Sequence, residues 1–193
     1  MRRIVFLLIL ILCMSGMTGC GSRIEVYDDI SGYVDRMSFG ARNADDKWYK
    51  WGMDESVWPE NIDDDARVSD YKMVYYNPWD AQYLGYLAIE YPDADYKAEV
   101  ERLRAYPSTE YVGYYSVQAE ETYELLAINA DAYHGFVYAL TDGKHRIIYA
   151  EQIFCNYFMD IDYEKYVPKE YLLDGFNARM DNPYRKEMMS NQK

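Results

Sequence analysis

Three glutamates interrupt stretches that are otherwise apolar: Glu90, Glu124 and Glu151. Two carboxylates held about 5–9 Å apart across a cleft are what glycoside hydrolysis requires. Alternation along a strand lets Glu90 and Glu124 face solvent on the open side of a half-covered sheet. Glu151 is harder to place, because its face also carries Ile147, Tyr149 and Ile153. The only histidines are His134 and His145. With a turn at residues 141–144, His145 opposes Leu140, and His134 lies about 20 Å further along at about 3.4 Å per residue, too far to share a metal. The same ladder sets His134 opposite Glu151 as a cross-strand pair. Cys155 stands at the far end of the strand that His145 begins, so a zinc site is not supported. A Cys155–His134 nucleophilic pair has no third residue to orient it.

The acidic runs at residues 63–65 and 160–164 lack the central glycine of a calcium loop, and read as solvated loops. Tyr111, Tyr114 and Tyr115, with Trp79 near a turn, form a candidate aromatic platform for sugar rings or peptides, provided that the rings are exposed. No cofactor or metal is expected.

The elements that must position these groups follow from periodicity. Residues 71–76 and 83–91 alternate as strands and end at Asn77-Pro78 and Pro92-Asp93. Residues 94–105 form a helix whose stripe is Tyr96, Val100 and Leu103, with acids at its start and Arg102 and Arg104 at its end. Residues 122–129, 132–140 and 145–155 are three further strands with short turns, hence an antiparallel meander, and Pro168 opens a short helix. The expected fold is α+β: an antiparallel sheet of about five strands in ββα-βββ order, with one main helix packed on one face.

The first residues carry an address. Arg2 and Arg3 precede an apolar run at residues 4–12, about half the length of a membrane-spanning helix, so this is a secretory signal. Met17-Thr18-Gly19-Cys20 resembles the lipobox of bacterial lipoproteins. In that family a diacylglycerol is joined to the cysteine sulfur and the preceding peptide bond is cut. The resemblance implies residues 1–19 as signal peptide and acylated Cys20 as the partner of a lipid bilayer, on the extracytoplasmic face of a cell membrane. Residues 20–46, acidic and without an apolar period, read as lipidated N-terminus and tether. A single domain is expected over residues 47–175 and a frayed tail over 176–193.

The formal charge of −13 sets nucleic acid aside as a partner. Cys13 leaves with the signal and Cys20 is blocked by lipid, so Cys155 is left without a disulfide partner. The blocks WPENI, YYNPWDAQYLGYLAIEY and YALTDGKHRIIYAEQIF, spanning roughly residues 47–173, resemble an uncharacterised family of Tyr-rich Gram-positive surface lipoproteins. That resemblance implies a cell-surface location and no known activity. The expectation is a non-enzymatic module that binds a peptide, glycan or protein. The alternatives are an envelope hydrolase using carboxylates and an accessory subunit of a membrane complex.

Overall fold

A computed structural model describes residues 22–40, 43–120 and 122–193. The expected signal peptide and Cys20 lie outside them. Six strands form one antiparallel sheet: β1 (Glu25–Tyr27), β2 (Arg67–Tyr76), β3 (Gln82–Glu90), β4 (Glu124–Asp131), β5 (Gly135–Thr141) and β6 (Arg146–Ile153). Their spatial order is β1-β2-β3-β6-β5-β4. Helix α1 (Asp93–Arg104) follows β3, and a second helix, α2 (Pro183–Asn191), closes the chain. The ββα-βββ core and the β4-β5-β6 meander agree with the sequence pattern, and a sixth strand is added.

Alternation sends the side chains of each central strand to two cores. Leu84, Tyr86 and Ala88 of β3 join Phe136, Tyr138 and Leu140 of β5 on one face, beneath Tyr115, Phe154, Tyr163 and Phe176. Tyr83, Leu87 and Ile89 join Ile147, Tyr149 and Ile153 on the other, beneath Tyr33, Met37, Val57, Trp58 and Leu103 of α1. Neither face is open, contrary to the half-covered sheet expected. The covering comes from segments without long regular elements, which carry no apolar period.

Two expectations change accordingly. Residues 20–46 do not form a tether throughout: β1 pairs with β2 through Glu25↔Tyr75 and Tyr27↔Met73, and Tyr33 and Met37 are buried. Polar composition hid two apolar anchors four residues apart. The C-terminal segment is not simply frayed, because Phe176, Ala178 and Asn182 are buried and Tyr184, Met188 and Met189 pack on the core. Asn182 caps α2 by accepting the Tyr184 N–H at 2.8 Å.

The β5–β6 register is shifted by three residues. Leu140 pairs with Ile148, not His145, because the connection between Thr141 and Ile147 holds two left-handed residues, Gly143 and His145 (φ 71° and 73°). At the other end Gly135 (φ 110°) starts β5, where a Cβ would stand 2.1 Å from the Gln152 carbonyl oxygen. Only glycine fits there.

If residues 30–40 belong to the core, Met37→Ala opens a cavity and lowers unfolding free energy by about 2–5 kcal/mol, whereas a tether residue would leave it unchanged. Urea unfolding measures the difference.

Candidate ligand-binding site

Between Trp48 and Met53 the chain makes a 3-10 turn, Lys50–Gly52, in which three successive residues are left-handed, with φ of 51°, 58° and 72°. For Lys50 and Trp51 that conformation costs about 1–2 kcal/mol each. Gly52 bears it freely, and its missing side chain leaves room for Tyr49, whose hydroxyl would lie 3.0 Å from a Cβ there. The turn directs alternate side chains in opposite senses. Lys50 goes inward and is fully buried, while Tyr49 and Trp51 are turned toward the surface.

Lys50 Nζ is held between two carboxylates, Glu55 and Glu151, with Glu151 Oε1 and Oε2 at 2.8 and 2.9 Å. Both acids are buried, at 2 % and 0 % exposure. Glu55 also accepts the backbone N–H of Ser38, and its carboxyl lies beside that of Glu151. Burial and the neighbouring Glu55 charge push the Glu151 carboxyl well above the ordinary range, against the pull of Lys50. Burial works on Glu55 too, but there Lys50 and the hydrogen bonds from Glu151 and Ser38 outweigh it and lower its pKa. For Lys50, burial is outweighed by Glu151 and Glu55, so the ammonium is kept. The two acids are therefore unequal: Lys50 favours the ionised form of Glu55, while burial and the Glu55 charge disfavour ionisation of Glu151. Glu151 is the acid whose placement the sequence left awkward, and its partner is Lys50 rather than His134.

Three rings border one opening, Tyr49, Trp51 and Tyr75, above the buried ring of Tyr83. Asp45, Asp46, Lys47 and Asn77 supply its polar rim. The walls are fixed before any ligand arrives. Trp51 Nε1 donates to Ala81 O at 2.8 Å, and Tyr83 Oη donates to Lys47 O at 2.7 Å. The Tyr75 and Tyr83 centroids are 5.5 Å apart, and Asn77 Nδ2 donates to Tyr75 Oη at 3.2 Å. Lys47 Nζ lies 2.7 Å from Glu25 and 4.2 Å from the Tyr75 centroid. Burial tends to lower its pKa, but the hydrogen bonds to Glu25 and Tyr27 prevail and raise it. Trp79, on the same turn as Asn77, is 93 % exposed.

His134 belongs to this site from behind. It lies in the turn before β5, stacked on Trp51 at 6.0 Å and 22°, with Nδ1 3.0 Å from Asp131 Oδ1. Val137 takes the place opposite Glu151 that the shorter turn had assigned to His134. Glu90 and Glu124 lie at the opposite end of the sheet, exposed and paired with Arg67 and Arg104. Glu90 is five residues along β3 from Gly85, the partner of Glu151, or about 17 Å. These glutamates do not converge. Nor is there a platform at Tyr111 and Tyr115: both are buried, and Tyr115 Oη donates to Ala132 O. Tyr114 is half-buried against Tyr184, so Trp79 alone of that set is largely exposed. Cys155 is buried, which raises its thiol pKa and keeps it protonated.

Sequence reasoning missed Lys50, Glu55, Tyr49, Tyr75 and Tyr83. A single lysine between Trp48 and Trp51 was the available signal. Comparison with family models, curated proteins and solved structures returned no match, so the site rests on its own geometry.

Opposite shifts make the two acids unequal. Glu151→Gln, an isostere of the neutral carboxyl, is expected to cost about 1 kcal/mol or less. Glu55→Gln with Glu151→Gln strands the lysine and costs about 3–5 kcal/mol. Because the folded-state pKa of Glu151 is raised, its contribution is complete below the reference value of 4.5 and is lost as pH climbs toward that raised pKa. Glu55 contributes above 4.5 and fails as pH falls through its lowered pKa. Unfolding free energy measured against pH should therefore decline above pH 4.5 in the native protein, and that decline should flatten in Glu151→Gln.

Proposed function

We propose that this protein is a lipid-anchored extracytoplasmic binding module that takes a glycan against the rings of Tyr49, Trp51 and Tyr75. The observation that carries the reading is the pairing of three accessible aromatic rings with a polar rim at one opening. Sugar rings present apolar C–H faces that stack on aromatics, and equatorial hydroxyls that carboxylates and amides bind. The acidic balance of the chain disfavours polyanions as ligands and leaves neutral glycans as the better match. Acylation of Cys20 supplies the location.

A carboxylate-dependent hydrolase is the second reading, favoured by the meeting of Glu55 and Glu151 with one carboxyl pKa raised. Lys50 occupies the space between these acids and all three are sealed from solvent, so a substrate would first have to displace the whole turn.

Calorimetric titration of the full chain in detergent with N-acetylglucosamine oligomers tests the leading reading. Binding is expected, with Tyr49→Ala weakening it by about tenfold or more and Glu151→Gln leaving it intact. No binding, or equal binding by Tyr49→Ala, removes the glycan assignment. Hydrolysis of the oligomer that Glu151→Gln abolishes would establish the rival.

A further inference from the structure

Trp79 needs an explanation of its own. Every other tryptophan of the chain is at least half-buried against neighbouring rings or chain: Trp48 against Tyr27, Trp51 against His134, Trp58 against Tyr33 and Tyr149. Trp79 is 93 % exposed, on a turn held in place by Asn77 and by Asp80, which accepts Asn156 Nδ2 at 2.9 Å. Isolated exposure of so large an apolar ring is costly in water and is ordinary at a membrane interface, where indole combines an apolar face with an N–H donor.

The sheet register shows where the acylated end of the chain emerges. β1 begins at Glu25, opposite Tyr75, one residue before β2 ends at Tyr76. Going backward from Glu25 and forward from Tyr76, the two segments leave the sheet side by side at the same end. Cys20 is five residues from Glu25, so its Cα lies at most about 18 Å from that strand; Trp79 is three residues from Tyr76, at most about 11 Å. Ile24 already packs on the core, which shortens the free length further. Ser22 and Arg23 are exposed on this short exit, and Arg23 adds a cation suited to lipid phosphate.

We propose that the Trp79 end of the sheet rests on the bilayer, with the Trp79 indole in the headgroup layer beside the acylated cysteine. The proposal rests on acylation of Cys20. It makes the domain a body seated on the membrane, with its far end, at the β5–β6 turn, in water.

The test reconstitutes the full acylated chain into phosphatidylcholine vesicles, with and without brominated acyl chains, after mass spectrometry has verified acyl mass on Cys20. The Trp79 component of the emission is obtained by difference from Trp79→Phe. It is expected to shift to the blue, to be quenched by the brominated lipid, and to lose acrylamide quenching severalfold relative to the unacylated Cys20→Ser chain. A fluorophore on Lys144→Cys, at the opposite sheet end, should stay fully accessible to acrylamide. Acylated protein whose Trp79 remains as accessible in vesicles as in water overturns the proposal while leaving the anchor intact. Shielding of Trp79 that grows with concentration in Cys20→Ser points to a second copy on this surface and also overturns it. Absence of acyl mass removes the anchor itself.

Discussion

One buried ammonium fixes how the irregular cover meets one face of the sheet. Lys50 joins three parts of the chain that share no regular structure: the turn it sits in, Glu55 five residues on, and Glu151 on a central strand 101 residues away. Glu55 extends the connection to the backbone of Ser38. Taking each ion out of water costs several kcal/mol even after relaxation, so the cluster is tolerable only because the lysine and the two acids lie against one another. Apolar packing of equal volume would be at least as stabilising, but it has no direction. A charge that must meet two carboxylates admits one placement of the left-handed turn, and that placement aims Tyr49 and Trp51 at the surface. The outward placement of Tyr49 and Trp51 is thus a consequence of the buried ion cluster.

The tyrosines answer a related problem. Both sheet faces are covered largely by irregular chain, whose carbonyl groups have no ladder to join and must still find donors. Tyr33 donates to Pro59 O at 2.5 Å, Tyr83 to Lys47 O at 2.7 Å and Tyr138 to Tyr171 O at 2.6 Å. Each ring fills a core while its hydroxyl closes a carbonyl in the overlying segment. Cys155, the one cysteine among the described residues, is free, so no disulfide secures these covers. A chain with 23 tyrosines can fasten loops to a sheet by many such contacts.

What could be read from the residues follows this division. The strands β2 and β3, the helix α1 and the meander repeat with periods of 2 or 3.6, and their positions were close to those expected. The covers repeat with no period. Tyr33 and Met37 sit among Asp, Ser and Gly, so composition described their neighbours and not their role. Glu151 announced itself as an acid on an apolar face, but its partner was separated from it by most of the domain. His134 was legible as a candidate and wrongly placed, because a three-residue difference in one turn moves every residue of the ladder. Glu90 and Glu124 share with Glu151 only their setting in apolar sequence; at strand ends that setting leads to solvent and an arginine.

These features bear on how a ligand reaches the site. Asn77 lines the opening and Trp79 follows it by two residues, while β1, whose Glu25 holds Lys47 on the rim, is the strand nearest Cys20. With that sheet end on a bilayer, the opening lies at the membrane surface and not at the outermost point of the domain. A glycan would have to arrive along the surface, so lipid-linked or membrane-proximal sugars meet the rings more readily than distal polymer does.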